Sequence, residues 1–390
     1  MHRQMKEIQL KKAVTVSVYS KGCTTDACSV IRLLYPISSL NWNIIWNTRK
    51  NCLKKNFDIN PTKNADLIII QRDFPSKKTA ELLLYLLNIG IPVVYDLDDL
   101  LLDNQPEHPR IFYFKTVSPY IKWLIKEADL TTVSTAPLKN ELTPYTDRPI
   151  HVIKNLVNYN LFLSKASPHH DKFNILVSGT ATHQEDWAII KEPVFEILKK
   201  YKDRVNVVFF GDAPKAFRNH PSVRSIDFKP NYKDYASCLK ELDIHIALVP
   251  LKDTKFNQCK SNIKWLEYSA AGILGIYSDI TPYCSCINNG LNGILVENNP
   301  KSWFLAIENI LLGKIKTTTM IEHAQEEVFY KYSIDNSIDI YSHPFQTILN
   351  IAPPLKRSPS PPPARAFLTI YYNLIDKVLI LYKIFSKIKN

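Results

Sequence analysis

Short apolar stretches alternate with longer amphipathic stretches along the first half of the chain. The apolar stretches are four to six residues long and rich in β-branched residues, which is typical of buried strands. They lie at residues 14–19, 66–71, 91–95, 130–134 and 151–154. Amphipathic stretches at 27–40, at 79–88 and before Glu127 have the periodicity of helices. This alternation predicts a parallel α/β sheet.

A second set of alternating segments begins at Phe173. Its strand-like stretches lie at 174–178, 205–210 and 244–249, and its helix-like stretches at 187–200 and 232–242. Two successive α/β halves of similar length predict two Rossmann-like domains that face each other across a cleft. The length of 390 residues agrees with this, since it accommodates two cores of about 150 residues each.

These patterns divide the chain into six predicted segments. They are an N-terminal domain at 1–155, a linker at 156–172, a C-terminal domain at 173–320, a helical segment at 321–350, a proline-rich spacer at 351–366 and a tail at 367–390. Six prolines make the spacer stiff and extended.

The tail combines an apolar stripe with basic residues. Seven large apolar side chains recur at alternating steps of four and three residues, as on one face of a helix. They are Phe367, Tyr371, Leu374, Val378, Leu381, Phe385 and Ile388. Asp376 and Lys377 in the middle argue against a membrane-spanning helix, so we expect an amphipathic helix that lies in the plane of a membrane surface. The alternative is that the stripe packs on the protein body or on a partner helix.

The net charge of +12 is concentrated at the two ends of the chain. Residues 1–12 carry four basic residues against one acid, and residues 350–390 carry seven against one. Because the basic residues of the tail accompany aliphatic ones, an anionic membrane surface is favoured over nucleic acid as the partner. The residues expected to meet the membrane are Phe367, Tyr371, Lys377, Lys383 and Lys387.

Composition restricts the class of protein further. With 45% hydrophobic and 22% charged residues, the chain is globular and not disordered. Its seven cysteines include no C-x-x-C pair and no zinc-like spacing with histidine, so we expect reduced thiols and no structural metal. The first residues lack the apolar core of a secretory signal, and we therefore expect a cytoplasmic location.

The most informative stretch of the sequence is KSNIKWLEYSAAGILGIYSD, at residues 260–279. Ile263, Leu266 and Ala270 recur at helical spacing, with Ser261 as the candidate N-cap and Gly272 as the stop. A short apolar strand follows this helix.

Charged residues beside this helix indicate a site for an anionic ligand. Lys260 and Lys264 lie near a helix start, where unpaired backbone N–H groups and the helix dipole favour a diphosphate. Glu267, two turns deeper, is placed to accept hydrogen bonds from two sugar hydroxyls. The alternative is that the lysines are solvated surface residues and that Glu267 is an exposed helix acid.

This segment resembles the nucleotide-sugar-binding helix of GT-B glycosyltransferases, particularly those of family 4. In that family a glutamate before a small-residue turn and a strand holds the donor ribose, so the resemblance implies this role for Glu267. The family usually carries a second acid eight residues earlier, which contacts the transferred sugar. Cys259 occupies that position here, so the resemblance implies neither the sugar contact nor the stereochemical outcome.

Two further stretches resemble a bacterial subgroup of that family. The order Pro250-Leu251, Phe256-Asn257, Lys260-Ser261 matches its PL…FN…KS loop and implies that Asn257, Lys260 and Ser261 belong to the donor site. The turn SGTATH at residues 178–183 matches its SGTxTH turn.

In that turn, Gly179 lets the backbone approach a ligand closely, and Thr180 and His183 could meet phosphate or sugar oxygens. Helix capping by Thr180 and a solvated position for His183 are the alternatives.

Residues 95–100, YDLDDL, place three carboxylates after a predicted strand, at the sheet edge where open α/β folds bind ligands. In the first interpretation, Asp98 and Asp99 line the acceptor side, and one of them is a base or orients the acceptor hydroxyl. In the second, Asp96 and Asp98 form a D-x-D motif that holds a divalent cation. Helix capping is the third. A related run in family-4-like bacterial enzymes favours the first, which makes Asp98 and Asp99 the candidate catalytic residues.

The resemblance implies a GT-B enzyme, and the tail places it at a membrane surface. It would transfer a sugar from a nucleoside diphosphate sugar to a hydroxyl of a glycan or lipid-linked acceptor, with no cofactor and no metal, in cell-surface polysaccharide synthesis. It also implies that residues 321–350 cross back to the first domain. The alternatives are a non-catalytic protein that binds sugar nucleotides, which would explain Cys259, and a nucleotide-sugar epimerase.

Overall fold

The computed structural model describes residues 13–53, 58–102, 110–163, 172–350 and 358–363. The predicted membrane tail and most of the proline-rich spacer lie outside these residues. None of the helices within the described ranges combines the length and the apolar character that crossing a bilayer requires.

The first domain is built around a parallel sheet. Its strands are β1 (Thr15–Ser20), β2 (Asn43–Thr48), β3 (Leu67–Gln71), β4 (Val93–Leu97), β5 (Leu130–Val133) and β6 (Ile150–Val152). Within the described residues they lie in the order β2-β1-β3-β4-β5-β6, and every pair is parallel. The central strands β3 and β4 are buried along their whole length, because both faces of the sheet are covered. Because the paired strands are all parallel, their carboxyl ends meet at one edge of the sheet.

Helices connect these strands. They are α1 (Ala27–Ser29), α2 (Tyr35–Ser39), α3 (Arg49–Cys52), α4 (Asn60–Lys63), α5 (Ala80–Asn88), α6 (Ile111–Glu127) and α7 (Ala136–Leu142). A π-helical turn, Val30–Leu34, joins α1 to α2 and makes residues 27–39 one continuous helical run. Such turns are frequent at functional sites.

The second domain repeats the plan. Its strands are β7 (Phe173–Gly179), β8 (Val205–Gly211), β9 (Val223–Ile226), β10 (Ile246–Val249), β11 (Leu274–Ser278) and β12 (Ile294–Val296). Its helices are α8 (Tyr159–Phe162), α9 (Gln184–Tyr201), α10 (Tyr232–Glu241), α11 (Lys255–Gln258), α12 (Ile263–Ala270), α13 (Pro300–Leu311) and α14 (Thr317–Tyr332), and a last helix, α15 (Ile334–Asn350), follows them. The described strands form a second parallel sheet, β12-β11-β10-β7-β8-β9.

The last helix, α15, packs against the first domain and not against the second sheet. Its residues Tyr341, Phe345 and Ile348 share an apolar cluster with Val16 of β1 and Ile37 of α2. The first strand, β1, and the last helix, α15, therefore belong to the same packed unit.

The sequence pattern predicts the fold class correctly, because two parallel α/β sheets are present as expected. It does not predict β2 and β9, whose residues are largely half-exposed and include polar or charged positions. One local prediction is wrong. Asn262, and not Ser261, stands at the N-cap position of α12, and no side-chain hydrogen bond caps this helix. Gly272 does follow the last turn as expected, with a φ of +72° that favours glycine.

Candidate active site

A cavity of about 490 Å³ lies between the two domains. The first domain lines it with Asp98 and Asp99, which follow β4, and with Arg32 of the π-helical turn. The second domain lines it with Gly179, which ends β7, and with Lys260, which precedes α12. This volume is within the range of small-molecule sites, and its position at the carboxyl ends of parallel strands is where such folds bind ligands.

Glu267 lines this cavity from α12 and is only 5% exposed. Its Oε1 accepts a hydrogen bond from the Tyr232 hydroxyl at 2.8 Å, and its Oε2 accepts one from the Tyr235 hydroxyl at 3.0 Å. Burial raises the pKa of Glu267, while the charge of Lys264 and the two phenols oppose that rise. Both oxygens thus point toward α10, and each keeps lone-pair capacity for a further donor.

Lys264, one turn before Glu267, reaches across to the end of β7. Its Nζ donates a hydrogen bond to Ser178 Oγ at 2.7 Å, and Ser178 Oγ also lies 2.6 Å from the Tyr268 hydroxyl. The ammonium is therefore fixed at the turn between β7 and α9, where a ligand phosphate would approach the backbone of Gly179.

Lys260 is a half-buried cation at the cavity wall. Burial lowers the pKa of its ammonium, and Asp186 and Asp99 oppose this shift from a distance. Its nearest aromatic neighbour is Phe256, whose ring centroid lies 5.1 Å from Nζ. Among the described residues the ammonium forms no hydrogen bond or ion pair. A half-buried cation without a bonded anion favours binding of an anionic ligand.

The turn after β7 is shaped by two glycines and a histidine. Gly211, which ends β8, has a φ of +106°, and its Cα lies so close to the Gly179 carbonyl that a side chain would collide with it. A Cβ on Gly179 would come within 2.9 Å of the His183 ring. A side chain at position 179 would therefore displace the His183 ring, which lines the cavity beside Gly179.

His183 is held as a neutral imidazole. Its Nδ1 lies 2.9 Å from Asp186 Oδ2, so Nδ1–H donates to the carboxylate and Nε2 keeps its lone pair. Burial lowers the pKa of His183 to about 4, and the charge of Lys260 contributes to this, against the effect of Asp186. His183 can therefore accept a hydrogen bond from a ligand hydroxyl at neutral pH.

Asn257 lies behind the cavity wall and does not line it. It is 1% exposed, and its Nδ2 donates to Asp186 Oδ1 at 2.9 Å and to the Lys252 carbonyl at 2.9 Å. Asp186 accepts from both Asn257 and His183, so the geometry gives Asn257 a supporting position behind the histidine.

The other two predicted donor residues differ in their contacts. Thr180 lines the cavity, and its Oγ1 lies 2.9 Å from Thr182 Oγ1. Ser261 also lines it, and its Oγ accepts a hydrogen bond from Asn155 Nδ2 at 2.8 Å. Because Asn155 belongs to the segment that leaves β6, this bond joins the two domains.

Asp98 and Asp99 share one guanidinium. Arg72 Nη1 donates to Asp98 Oδ1, and it donates to Asp99 Oδ2 at 3.0 Å. Burial raises the pKa of Asp98, Arg72 opposes the rise, and Asp99 adds to it. The side chain of Asp99 is 27% exposed, and its second oxygen is turned to no described donor, so it can accept from an acceptor hydroxyl.

Asp96 is committed elsewhere, which argues against the D-x-D interpretation. Its Oδ1 accepts from Arg32 Nη2 at 2.6 Å and from Thr132 Oγ1 at 2.8 Å, and the pair with Arg32 is almost completely buried. Arg32 Nη1 also donates to the Ile153 carbonyl and to Asn155 Oδ1. The carboxylate is thus part of the first domain's internal network and is not turned toward Asp98.

Cys259 lies in the apolar core of the opposite domain. It is 1% exposed and belongs to the same cluster as Tyr95 and Leu138, with Phe256 packed against that cluster. The Cys259 carbonyl accepts a hydrogen bond from Thr135 Oγ1 at 2.8 Å. At the position where the resembled family has a sugar-binding acid, this chain has an apolar contact between domains.

Sequence reasoning missed several residues that line the cavity. Four of them hold charged or hydrogen-bonding groups of the site, namely Arg32, Asn155, Tyr232 and Tyr235. The two tyrosines are three residues apart and therefore share one face of α10, a signal that could have identified them as a pair. Arg32 and Asn155 gave no comparable signal, because their role arises from contacts more than 100 residues apart.

Known structures share this architecture. HepE from Anabaena, in complex with UDP and glucose, is 13% identical and matches 87% of this chain and 100% of its own, with a TM-score of 0.62. Sucrose-phosphate synthase from Thermosynechococcus elongatus is 10% identical over 86% of this chain and 99% of its own, with a TM-score of 0.63. A protein from Listeria monocytogenes, described as a candidate UDP-N-acetylglucosamine 2-epimerase, is 14% identical over 86% and 98%, with a TM-score of 0.53.

No protein-family model and no curated protein matches the sequence. At identities this low the likenesses concern the fold alone. They confirm the fold predicted from the sequence, which is the GT-B architecture of two Rossmann-like domains around a cleft.

Proposed function

We propose that this protein is a glycosyltransferase that takes a sugar from a nucleoside diphosphate sugar and passes it to a hydroxyl acceptor. The observation that carries the proposal is the half-buried Lys260 ammonium, which lies in the interdomain cavity without a bonded anion among the described residues. A diphosphate supplies the missing negative charge. The bound UDP-glucose of HepE, a protein of the same fold, agrees with this ligand class.

Each side of the cavity has a task in this reaction. Lys260 and Lys264 neutralise the charge that develops on the departing diphosphate, which lowers the barrier without a metal. Glu267 accepts hydrogen bonds from the donor ribose. Asp99 orients the acceptor hydroxyl and accepts its proton, while Arg72 donates hydrogen bonds to both Asp98 and Asp99 and holds them at the cavity.

The wider setting is also part of the proposal. We infer that the acceptor is a glycan or a lipid-linked carrier, that the enzyme works at an anionic membrane surface on the cytoplasmic side, and that it contributes to surface polysaccharide synthesis. The basic, apolar tail of the sequence supports the membrane surface, and the resemblance of the donor motifs to GT-B family 4 supports the polysaccharide role.

A thermal-shift panel of nucleotide sugars tests the donor site. We expect one nucleotide sugar to raise the melting temperature of the wild type and to leave Glu267→Ala and Lys260→Gln nearly unchanged. Lys191→Gln, a substitution of an exposed lysine on α9, is the matched control and should respond like the wild type. A panel in which no nucleotide sugar stabilises the wild type contradicts the proposal.

The epimerase alternative has one observation in its favour, the likeness to the Listeria monocytogenes protein. Incubation with the stabilising donor alone separates the two activities. An epimerase returns an isomerised nucleotide sugar, whereas a transferase releases nucleoside diphosphate, and faster in the presence of an acceptor. A non-catalytic binding protein returns the donor unchanged.

A further inference from the structure

A short proline-rich segment, SPSPPP at residues 358–363, ends the described chain. Its prolines have a fixed backbone angle φ, because the ring closes onto the main-chain nitrogen. Most of its residues also precede a proline, and that position is biased away from the helical region toward extended backbone. The sequence of this segment therefore favours the polyproline II conformation, a left-handed helix with three residues per turn.

The exposure of this segment repeats every three residues. Ser358 and Pro361 are exposed, and the two residues that follow each of them are half-buried. Three residues is the period of a polyproline II helix, so one edge of the helix is turned to solvent and the rest is turned to the protein. Residues 358–363 therefore rest on a protein surface.

Two side chains of α6 bind Ser360 at the centre of the segment. Trp123 Nε1 donates a hydrogen bond to the Ser360 carbonyl at 3.0 Å, and Ser360 Oγ donates one to Glu127 Oε1. Trp123 and Glu127 are four residues apart and thus lie on one face of the helix. Trp123 is only 7% exposed and belongs to the apolar core of the first domain, which fixes the direction of its N–H group.

The surface beside Ser360 is concave and partly aromatic. Glu127 lines a cavity of about 430 Å³ together with Pro144 and Tyr145. The Tyr145 side chain is 38% exposed. We call the surface formed by Trp123, Glu127 and Tyr145 the Trp123 site.

These features fit a proline-rich ligand. A polyproline II helix has no internal hydrogen bonds, so its carbonyl groups remain available to a donor such as an indole N–H. Its conformation also exists before binding, which reduces the loss of conformational entropy. Aromatic-lined grooves recognise proline-rich segments for these two reasons.

We propose that the Trp123 site is a recognition site for polyproline II segments and that residues 358–363 of the same chain are its occupant. The proposal is independent of the proposed transferase function, because Trp123, Glu127 and Tyr145 lie outside the residues that line the interdomain cavity. Since the segment is tethered, it competes with any proline-rich peptide in solution at an effective concentration on the order of millimolar.

Peptide competition on the full-length protein tests this site. The probe is a peptide with blocked ends and the sequence of residues 358–363, and the readout is the Trp123 indole resonance in NMR spectra, assigned with Trp123→Phe. Pro359→Ala/Pro362→Ala removes two half-buried rings from the tethered segment and should leave the site open. We expect this variant to bind the peptide about tenfold or more tightly than the wild type, in which the tethered segment occupies the site.

Pro361→Ala is the matched control, because it removes a proline of the same segment at an exposed position. It should bind the peptide as weakly as the wild type. A peptide with alanine in place of every proline should not shift the Trp123 resonance of any of these proteins. Equal peptide affinity of the wild type and Pro359→Ala/Pro362→Ala, or an identical Trp123 resonance in the two proteins without peptide, would overturn the proposal.

A charge substitution provides a second test that does not depend on added peptide. Ser360→Asp places a carboxylate against Glu127, and repulsion should release the segment and move the Trp123 resonance to its position in Pro359→Ala/Pro362→Ala. Ser360→Asp/Glu127→Gln removes the repulsion and should return the resonance toward that of the wild type. A Ser360→Asp protein with the wild-type resonance contradicts the proposal.

Dilution of the wild type identifies the source of the bound segment. A tethered occupant gives a Trp123 resonance that does not depend on protein concentration. A resonance that moves on dilution, together with a dimer in light scattering, would show that the segment comes from a second copy of the chain, and would overturn the assignment of the chain's own segment as the occupant.

Discussion

His183 shows how one residue couples the fold to the chemistry of the cavity. Its ordinary pKa is 6.5, and burial beside Lys260 lowers it to about 4 in the folded protein. Between these two values the unfolded chain binds a proton that the folded protein does not. The free energy of unfolding must therefore fall as the pH is lowered through this window.

We expect the part of this loss that belongs to His183 to be on the order of 2 kcal/mol between pH 7 and pH 4. His183→Gln, which keeps a donor for Asp186 but does not titrate, should flatten the dependence. Urea unfolding at several pH values measures it. His323→Gln, at an exposed position on α14, is the control and should leave the slope unchanged.

Cys259 tests whether the missing acid of the resembled family can be restored. The structure buries this residue against the first domain, so Cys259→Glu places a carboxylate in an apolar cluster. We expect a loss of about 3 kcal/mol in the free energy of unfolding, against about 1 kcal/mol for Cys259→Ser. Urea titration distinguishes them. A Cys259→Glu variant with wild-type stability and an increased transfer rate would show that this position reaches the sugar after all.

At the scale of elements, the sequence predicted best where burial decides the residue type. The strands β3, β4 and β10 are buried throughout because both faces are covered, and their positions could be read directly from their apolar residues. The half-exposed β2 mixes polar and apolar residues and shows no such pattern. Element type follows from burial, whereas the partner of each element depends on contacts distant in sequence.

The candidate site likewise contains residues that local sequence patterns predict and residues that they do not. The loop before α12 and the turn after β7 were identified from local residue types, and residues of both line the cavity. The two tyrosines that bind Glu267, and the position of Asn257 behind His183, depend on how α9, α10 and α12 pack together. Sequence patterns within one helix do not predict how these three helices pack against one another.

The π-helical turn is the element most open to a test. Arg32 points inward from this turn, and the carbonyl of the same residue accepts a hydrogen bond from the Tyr341 hydroxyl of α15 at 2.5 Å. Arg32→Met leaves Asp96 buried without its cation, and we expect a loss of about 3–5 kcal/mol in the free energy of unfolding.

The double variant Arg32→Met/Asp96→Leu removes the stranded charge as well. Its stability should lie clearly above that of Arg32→Met, because an apolar pair replaces a buried ion pair with little loss. If the single and double variants unfold at the same urea concentration, the ion pair is not what holds the π-helical turn to the sheet.

At the scale of the whole molecule, short hydrogen bonds join the two domains beside the cavity. Thr25, Thr135 and Asn155 of the first domain each form one hydrogen bond of 2.8 Å to the second. Two of their partners, Cys259 and Ser261, flank Lys260 on either side. A change in the angle between the domains would therefore have to break or strain the hydrogen bonds on both sides of Lys260.

The end of the described chain also returns to the first domain. Trp123 Nε1 of α6 donates to the Ser360 carbonyl at 3.0 Å, and Ser360 Oγ donates to Glu127. The predicted membrane tail therefore starts within a few residues of a fixed point on α6. The exposed residues of α6 are Phe112, Lys115, Lys122 and Lys126, which include no acid.

Because Ser360 contacts α6, the effect of the tail on membrane binding can be separated from the effect of the residues before it. A chain ending at Pro363 keeps the contacts of Ser360 and loses only the predicted amphipathic residues, whereas a chain ending at Ala352 loses both. We expect full-length protein to sediment with vesicles that contain anionic lipid, and less so at high salt, because a basic amphipathic helix binds through apolar area and charge together. The chain ending at Pro363 should stay in the supernatant at an unchanged melting temperature, and equal sedimentation of the two would reject the tail as the anchor.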